Sequence, residues 1–320
     1  MAIEDVRRSI LVTGGGGFIG SRLVRALLEK GQRVKVLDIQ RGLLGPVRSR
    51  RLEFVGLESG ASMGGMANEE AVQEAVEDVD VVFHLAIAWN GGSWKHVSPV
   101  ASLFDANVRG TLNVLEASRA EGVRHFVFSS SCSVYGMSTW PVVNEEAACA
   151  PETWDGDPGR AYGIVKFATE RLCLLYHHQY GLPVTAFRID FVYDDAQALP
   201  SSTIEANLKA GKSIDVIERD GYSAIHVEDV VKALLLASLN RKAYGRVFNL
   251  ANSVSFVSYR EVYELLIPQT DSKSKISLRR DPHHAGRVRE STDKIRRTLG
   301  WRPQRTKDDL LKAIARSLPA

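Results

Sequence analysis

A tyrosine and a lysine four residues apart form the chemically most informative pair in the sequence. Tyr162 and Lys166 lie in the segment Tyr-Gly-Ile-Val-Lys, and this spacing places both side chains on one face of a helix. A cation beside a phenol favours the phenolate, so Lys166 is expected to lower the pKa of Tyr162 from its usual value of about 10. Tyr162 could then exchange a proton with a substrate hydroxyl near neutral pH, and Lys166 could hold a cofactor ribose. Because such pairs also occur by chance on helix surfaces, the interpretation depends on neighbouring motifs.

Three consecutive serines supply hydroxyl groups that could act with this pair. Ser129, Ser130 and Ser131 end a predicted strand, at the edge where doubly wound sheets bind their ligands. A hydroxyl there can hydrogen-bond a substrate oxygen and share its proton with Tyr162, and Ser131 is the residue predicted to do so. The alternative interpretation is that any one of these serines caps the end of the strand.

A glycine-rich segment between the first predicted strand and the first predicted helix is typical of a dinucleotide-binding turn. Gly14, Gly17 and Gly20 follow the spacing G-x-x-G-x-x-G. In this pattern the first glycine allows the tight turn, the second admits a pyrophosphate, and the third lets helix and strand pack closely. The N–H groups at the start of the helix, around Phe18 and Ile19, then face the phosphates. The alternative is a flexible turn without a ligand.

The end of the second predicted strand indicates which dinucleotide is bound. Asp38 lies 18 residues after Gly20. A carboxylate at that position can accept hydrogen bonds from the adenosine ribose and would repel a 2′-phosphate, so NAD is the predicted cofactor. Arg41 lies close by and leaves NADP as an alternative, and a strand-capping role for Asp38 is another.

The elements that must position these residues alternate between strands and helices. Strand-like runs cover residues 9–13, 33–38, 52–55, 80–85, 124–129 and 184–189. Helical patterns cover residues 18–30, 103–121 and 161–180. This alternation predicts an α/β fold with a Rossmann-type, doubly wound parallel sheet. The alternation fades after about residue 191. Residues 1–190 are therefore expected to form the NAD-binding domain, with later segments returning to it, and residues 191–320 mainly a smaller C-terminal substrate lobe.

Composition and charge exclude several classes of protein. The 320 residues are 44% hydrophobic and 25% charged, as in an ordinary globular protein. The formal charge of +3 is too small to predict nucleic-acid binding, although basic residues cluster towards the C-terminus. No apolar stretch reaches the ~20 residues of a membrane span. Three cysteines without metal-ligand spacing predict reduced thiols, a cytoplasmic location and no metal site.

By these motifs the chain resembles the extended short-chain dehydrogenase/reductase family, the group of NAD-dependent epimerases and dehydratases typified by UDP-glucose 4-epimerase. The motifs follow the family order along nearly the whole chain. They comprise residues 13–20, 84–86, 107–111, 129–136, 162–166, 226–229 and 299–301.

The resemblance implies roles for particular residues. It implies that Ser131, Tyr162 and Lys166 form the catalytic set. It also implies a homodimer formed through the helices at residues 103–121 and 161–180. The cofactor groove is expected to include Leu85, Ala86, Asn107 and Ser129 in addition to the glycine-rich turn, Asp38, Tyr162 and Lys166. His84 is interpreted as a packing residue rather than a ligand or a base.

Two departures from the family pattern bear on the chemistry and the cofactor. Family dehydratases carry an Asp-Glu pair after the strand-end threonine, whereas Cys132 and Ser133 follow Ser131 here, so 4,6-dehydration is disfavoured. Cys132 is interpreted as a packing thiol because no base flanks it. The family often has Gly-Asp after the third strand, where the Asp contacts adenine. Here Leu57 follows Gly56, so that contact is not expected.

Other departures concern the substrate. Phe191 stands where the nucleotide-sugar enzymes have a substrate-contacting Asn, and Tyr222 stands where they have an Arg that binds the nucleotide diphosphate. Arg287 keeps the position of the second diphosphate arginine. These changes weaken the case for a nucleotide diphosphate-sugar without removing it. Trp89 and Trp94, in a glycine-containing loop, are predicted either to cover a sugar ring or to pack against the sheet edge.

The resulting prediction is an NAD-dependent oxidoreductase that transfers a hydride at a secondary alcohol of a sugar or nucleotide sugar, with epimerisation as the favoured net reaction. Tyr162 takes the hydroxyl proton, Lys166 keeps the phenolate accessible and Ser131 hydrogen-bonds the oxygen. The alternative enzyme is an NAD-dependent dehydrogenase or reductase of a small non-nucleotide substrate. A non-catalytic NAD-sensing protein is a further alternative, and the complete set of three residues argues against it.

Overall fold

A computed structural model describes residues 8–57, 65–88, 100–137, 142–153, 159–200, 202–218, 220–280 and 289–317 of the chain. The chain divides into two compact units. The first consists of Met1–Gly136, Cys149–Arg188 and Val231–Phe248, and the second consists of Met137–Ala148, Ile189–Val230 and Asn249–Ala320.

Short strands and helices alternate along the described residues. The strands are β1 Ser9–Thr13, β2 Arg33–Asp38, β3 Leu52–Gly56, β4 Val81–His84, β5 His125–Ser131, β6 Val142–Val143, β7 Val184–Ile189, β8 Val192–Tyr193, β9 Ile214–Ile217, β10 Gly221–Tyr222, β11 Ile225–His226, β12 Arg246–Leu250, β13 Val257–Ser258, β14 Ile276–Arg279 and β15 Arg289–Glu290. The helices are α1 Phe18–Glu29, α2 Glu69–Val76, α3 Val100–Phe104, α4 Gly110–Ala120, α5 Gly159–Tyr180, α6 Ser202–Ala210, α7 Val227–Ala237, α8 Tyr259–Leu266, α9 Asp293–Leu299 and α10 Lys307–Arg316. None of the helices within the described ranges combines the length and apolar character needed to cross a membrane.

The first unit is built on a seven-stranded sheet with the strand order β12-β7-β5-β4-β1-β2-β3. Strand β1 runs parallel to both β2 and β4, and the pairs β2–β3 and β4–β5 are parallel as well. The chain therefore winds outwards from β1 to β3, returns to the other side of β1 at β4, and continues from there. This order confirms the predicted Rossmann-type α/β fold, and the reversal between β1 and β4 is where such sheets bind ligands.

Burial explains why these sequence runs form strands. Every residue of β4 and of β5 is buried, as expected for central strands covered on both faces. The hydrophobic core joins strand residues such as Leu11, Val82 and Phe126 to Val114 of α4 and Cys173 of α5. Helices α4 and α5 are thereby packed against the strands whose ends carry the candidate site residues.

The single helix predicted for residues 103–121 is interrupted. Helix α3 and helix α4 are separated by a π-helical turn at Asp105–Arg109, where the Gly110 N–H donates to the carbonyl oxygen of Asp105. Side-chain hydrogen bonds compete with the helical ladder at this point. The Asn107 amide donates to the carbonyl oxygen of Leu103 at 2.8 Å, and the Thr111 hydroxyl donates to that of Asn107 at 2.6 Å. Such π-turns are frequent at functional sites.

The second unit has a hydrophobic core of its own. It contains the strand pairs β6–β15, β8–β11, β9–β14 and β10–β13, and its core includes Leu208 of α6, Val262 of α8 and Leu310 of α10. Helix α8 begins after Ser258, which is its N-cap. Ser258 and Glu261 form a capping box in which each side chain accepts a hydrogen bond from the other's backbone N–H.

Asp229 organises the chain that precedes α10. Its main-chain carbonyl accepts a hydrogen bond from the buried indole of Trp301 at 2.9 Å. Its carboxylate accepts hydrogen bonds from the backbone N–H groups of Gln304 at 2.9 Å and Arg305 at 3.4 Å. One residue thus fixes three points of the C-terminal segment.

Replacing this carboxylate should destabilise the protein. Asp229→Ala is expected to lower the free energy of unfolding by about 1–3 kcal/mol, because backbone N–H groups lose a charged acceptor. The adjacent Glu228, which is exposed, offers the matched control, and Glu228→Ala should have a smaller effect. Denaturant unfolding measures both variants. Equal stabilities for the two variants would contradict the role of Asp229.

Candidate active site

The glycine-rich turn joins β1 to α1 beside the end of β4. Gly14 has φ +69°, and a Cβ atom added there would lie 2.8 Å from backbone atoms of Ala86, which follows β4. A side chain is therefore excluded where these two strands end. A Cβ atom on Gly20 would lie 2.1 Å from the carbonyl oxygen of Gly14. Helix α1 can approach the turn this closely only because Gly20 is glycine.

The N-terminus of α1 has the properties of an anion-binding site. Gly17 is the N-cap residue, no side chain caps it, and the first turn contains no acidic residue. The first N–H groups of a helix lack partners within the helix, and the positive end of its dipole favours an anion. Phe18 and Ile19, both half-buried, lie in this turn. A glycine-lined approach to an uncapped helix start fits the pyrophosphate of a dinucleotide.

The Asp38 carboxylate lies next to this turn. It accepts hydrogen bonds from the backbone N–H of Gly16 at 2.9 Å and of Ile39 at 2.7 Å. These two bonds use about half of the roughly four acceptor positions of a carboxylate, which leaves capacity for ribose hydroxyls. Asp38 therefore supports the turn, and the chemistry of this group also fits the adenosine end of NAD.

His84 connects the ends of β1 and β4 to α4 through a chain of hydrogen bonds. Its Nδ1 lies 2.7 Å from the Thr13 hydroxyl, and its Nε2 lies 2.8 Å from the Thr111 hydroxyl. Because the Thr111 hydroxyl donates to the carbonyl oxygen of Asn107, it must accept from the Nε2–H of His84. The Thr13 hydroxyl then donates to Nδ1 and accepts from the N–H of Ala86 at 3.2 Å.

This environment keeps the His84 ring neutral. Burial, with a smaller contribution from the positive charge of Lys166, lowers the pKa of His84 to about 3. Both ring nitrogens are bonded within the protein. His84 is therefore a buried packing residue, as interpreted from the sequence, and it also connects the ends of β1 and β4 to α4.

Asn107 and Leu85 shape the segment that follows β4. The Asn107 side-chain amide donates to the carbonyl oxygen of Ala88 at 3.1 Å and accepts from the Ala88 N–H at 2.8 Å. The Leu85 N–H donates to the carbonyl oxygen of Thr13 at 3.2 Å. The backbone from Leu85 to Ala88, beside the glycine-rich turn, is thus hydrogen-bonded at both of its ends. Asn107 itself is buried.

Ser131, Tyr162 and Lys166 come together where α5 packs on the end of β5. The side chains of Tyr162 and Ser131 are hydrogen-bonded to each other. The Ser131 hydroxyl also accepts from the N–H of Ser133 at 3.1 Å and donates to its hydroxyl at 3.2 Å. The Lys166 ammonium donates to the carbonyl oxygen of Ser129 at 2.7 Å, and its Nζ lies 5.9 Å from the centre of the Tyr162 ring. The structure thus brings together the three residues that the resemblance assigns to catalysis.

The expected lowering of the Tyr162 pKa by Lys166 is wrong for this structure. Desolvation by burial raises the pKa of the phenol above its usual value, and it outweighs the lowering effect of the hydrogen bond with Ser131. Burial also lowers the pKa of Lys166 to about 8. The amine is therefore a weaker source of positive charge than an exposed lysine, and its hydrogen bond goes to a main-chain carbonyl.

The residues predicted to bind substrate are only partly described. Trp89, Trp94 and Arg287 lie outside the described residues. Phe191 and Tyr222 belong to the second unit, where their rings pack edge to face with centres 5.6 Å apart. Tyr222 is fully buried, and its hydroxyl donates to a main-chain carbonyl at 3.1 Å. Phe191 is half-buried and keeps some exposed surface.

Cys132 packs within the fold at the end of β5. The Cys132 thiol is buried and donates to the carbonyl oxygen of Arg188 at 3.2 Å, which agrees with a packing role. Within the described ranges, no group of three His, Cys, Asp or Glu side chains is arranged to hold a metal ion. The groups that the site brings together are the Ser131 hydroxyl, the Tyr162 phenol and the Lys166 amine.

A doubly wound sheet, a glycine-lined turn and a Ser–Tyr–Lys cluster at strand ends define a dinucleotide-dependent α/β enzyme. The sequence model of the NAD dependent epimerase/dehydratase family matches residues 10–251. The chain belongs to this family, and it is an NAD-dependent enzyme of the extended short-chain dehydrogenase/reductase group.

Similar proteins of known sequence or structure span several reactions. UDP-N-acetyl-alpha-D-glucosaminuronate decarboxylase of Bacillus cytotoxicus is 30% identical over 283 residues, 85% of this chain and 83% of the relative. 2-Alkyl-3-oxoalkanoate reductase of Stenotrophomonas maltophilia is 39% identical over 166 residues, 52% of this chain and 45% of the relative. The crystal structure of UDP-glucose 4-epimerase of Thermotoga maritima with UDP-glucose has a TM-score of 0.73 and 26% identity, and the match covers 97% of this chain and 98% of that one.

The neutral state of buried His84 should make the fold sensitive to acid. The unfolded chain binds a proton at His84 below a pH of about 6.5, whereas the folded protein does not until about pH 3. Stability from this residue is fully present above the higher value and is lost as the pH falls. The expected loss is roughly 1.4 kcal/mol of unfolding free energy per pH unit in that interval.

His84→Gln removes the titrating group and should reduce this pH dependence, whatever its effect on stability at neutral pH. Urea unfolding of both proteins near neutral pH and about two pH units lower measures the difference. The same pH dependence in the variant and the natural protein would show that His84 is not the group involved.

Proposed function

We propose that the protein catalyses NAD-dependent hydride transfer at a secondary alcohol carbon of a sugar or nucleotide sugar, with epimerisation as the net reaction. The observation that carries this proposal is the hydrogen bond between Tyr162 and Ser131, with Lys166 one helical turn away. The nucleotide-sugar enzymes among the similar proteins support the substrate class.

Under this proposal Tyr162 enters the reaction as the phenolate and carries the proton that moves during the reaction. Its oxygen accepts the proton of the substrate hydroxyl, while Ser131 donates a hydrogen bond to the same substrate oxygen. Lys166 keeps its place through the carbonyl oxygen of Ser129. When bound, NAD supplies the hydride acceptor, and its oxidised ring carries a positive charge that favours a phenolate.

Epimerisation needs no net proton exchange with solvent. Tyr162 takes the hydroxyl proton as the alcohol becomes a ketone, and it returns the proton when the hydride comes back to the opposite face of the carbon. The raised pKa of Tyr162 favours the first half, because a more basic phenolate takes up the hydroxyl proton more strongly. The phenol formed in that step is the species that donates in the second half. Release of the ketone before that step would make the same site a dehydrogenase.

Elimination of water is a poorer fit to these residues. The positions after Ser131 carry Cys132 and Ser133 in place of an acid/base pair. The Cys132 thiol is buried and bonded to a main-chain carbonyl. It supplies neither a carboxylic acid nor a carboxylate for β-elimination.

A dehydrogenase or reductase of a small non-nucleotide substrate is the second candidate. Tyr222 favours it, because a fully buried neutral side chain there cannot replace an arginine as a diphosphate ligand. The similarity to 2-alkyl-3-oxoalkanoate reductase points the same way. A non-catalytic NAD-sensing role gains no support from a complete Ser131, Tyr162 and Lys166 cluster.

A homodimer through α4 and α5 is part of the same proposal. Helix α5 exposes the apolar side chains of Leu175, at 46%, and Tyr180, at 47%. Exposed apolar side chains on one helix are suited to a partner surface. The family resemblance names the same two helices.

Tyr162→Phe tests the proton-transfer role. Loss of the phenolic oxygen should reduce turnover by about 10²–10⁴-fold while NAD binding persists, because the ring and the glycine-rich turn remain. Tyr180→Phe, at the exposed end of α5, is the matched control. Turnover and NAD affinity are measured for both variants. Undiminished turnover in Tyr162→Phe would refute the role.

A ligand panel distinguishes the two candidate substrates. Binding at about one hundred times Kd should stabilise the NAD-bound protein by roughly 2.7 kcal/mol, which thermal unfolding detects. UDP-glucose, UDP-galactose and UDP-glucuronic acid are expected to stabilise it more than free sugars or hydroxy acids. Interconversion without accumulation of NADH identifies an epimerase, and accumulation identifies a dehydrogenase. Stabilisation by free hydroxy acids alone would favour the second candidate.

A further inference from the structure

We propose that Glu170 is a positioning residue that fixes α5 against β5 and thereby keeps Tyr162 and Lys166 on their partners Ser131 and Ser129. This inference rests on the proposed function, because it assigns importance to that alignment. Glu170 lies outside the set of residues that the sequence analysis singled out, and it touches none of the reacting groups.

Glu170 is the centre of a buried polar cluster. Its carboxylate has no exposed surface and forms two hydrogen bonds with the Arg188 guanidinium, at 3.0 Å and 2.8 Å. The Ser130 hydroxyl donates to the same carboxylate at 2.7 Å, and Arg171 also pairs with it. Burial alone would raise the pKa of Glu170, but the bonds from Arg188 and Ser130 keep it below its usual value. The group is therefore an ionised anchor between α5, β5 and β7.

The spacing along α5 gives this anchor its effect on the site. Tyr162, Lys166 and Glu170 are successive i, i+4 positions on one helix face. Each is bonded to one residue of the serine run. The pairs are Tyr162 with Ser131, Lys166 with the Ser129 carbonyl, and Glu170 with Ser130. Rotation or sliding of α5 would therefore disturb all three contacts together.

The N-terminal end of α5 has no room to move closer. A Cβ atom on Gly163 would lie 2.8 Å from the carbonyl oxygen of Ser133 and 2.9 Å from Pro151. The helix is thus in contact with the turn after β5 at one end. Glu170, seven residues and about 10 Å further along, holds it at its middle. Two separated contacts determine the direction of the helix, whereas one contact would leave it free to pivot.

The chemistry of the cluster argues for positioning rather than stability. A buried ion pair gains little net stability, because desolvation of both ions offsets their attraction. An apolar pair would fill the same space. An apolar pair, however, would form no directional hydrogen bonds. The bonds from the Arg188 guanidinium and the Ser130 hydroxyl fix the position of the Glu170 carboxylate.

The test uses Ser130→Ala in the full-length, NAD-saturated protein. Glu170→Ala would leave the Arg188 charge buried without its carboxylate, and unfolding would hide any positioning effect. Ser130→Ala removes only the bond to β5 and leaves the ion pair. Thr169→Val is the matched control, since it removes a buried hydroxyl from α5 that bonds only along the helix, to the Val165 carbonyl at 2.7 Å.

Two measurements separate positioning from simple loss of stability. The first is turnover, for which Ser130→Ala should lose about 10-fold in kcat with little change in the KM for NAD, whereas Thr169→Val should keep kcat. The second is titration of Tyr162, followed as the phenolate absorbance difference between each protein and its Tyr162→Phe counterpart. Loss of alignment weakens the bond to Ser131, so the midpoint should move up by about one pH unit in Ser130→Ala.

The outcomes are distinguishable from failure of the proposed function. If the natural protein turns over none of the sugars tested, the proposed function fails, and a raised Tyr162 midpoint in Ser130→Ala still supports positioning. An unchanged midpoint overturns the inference, whether kcat falls or not, because a fall would then reflect stability alone. If the natural protein is active, equal kcat in Ser130→Ala and Thr169→Val overturns it as well.

Discussion

The close packing of α5 against the end of β5 is the constraint on which the site depends. A phenol, an amine and a carboxylate on one helix face meet three consecutive serines on one strand. Because side chains alternate between the two faces of a strand, the Ser130 hydroxyl points to the buried cluster and the Ser131 hydroxyl to Tyr162. Ser129 contributes its main-chain carbonyl, which accepts from Lys166. The chemistry of Tyr162 is therefore tied to how accurately two elements of secondary structure are docked.

The dinucleotide side of the site depends on a second close approach. The turn after β1 and the segment after β4 come so near that only glycine fits at Gly14. The same segment is held by Asn107 from the π-turn and by Thr13 from β1. The glycine-rich turn after β1 and the serine run at the end of β5 thus lie at strand ends of one sheet, where doubly wound folds bind their ligands. The central strands β4 and β5 are buried along their whole length.

The sequence predicts the elements better than their interruptions. Strong periodicity correctly predicts α1, α5 and the six strands β1–β5 and β7 of the central sheet. The sequence does not predict the π-turn in residues 105–109, because this turn arises from side-chain hydrogen bonds of Asn107 and Thr111 that leave no periodic pattern. Helix α2 was not predicted either, although Asn68 as N-cap and the acidic first turn are sequence features that indicate the start of a helix.

The candidate site shows the same division. Residue spacing indicates that Tyr162, Lys166 and the serines meet, since it depends on helix and strand geometry alone. The direction of the Tyr162 pKa shift could not be predicted from residue spacing, because it depends on how completely the fold excludes water from the phenol. Glu170 continues the i, i+4 series, and that spacing was the signal that could have revealed it. Its partner Arg188, on a strand of the same sheet, is identified only by the fold.

The hydrogen-bond chain through His84 has a consequence for how relatives of this protein can differ. The chain runs in one direction, from the Ala86 N–H through Thr13, the imidazole and Thr111 to the Asn107 carbonyl. Each hydroxyl accepts one hydrogen bond and donates the next. An apolar residue at any one position would therefore leave a buried donor or acceptor of its neighbour without a hydrogen-bond partner. Evolutionary change at these threonines and at the histidine should therefore be concerted, with substitutions at the three positions inherited as a set.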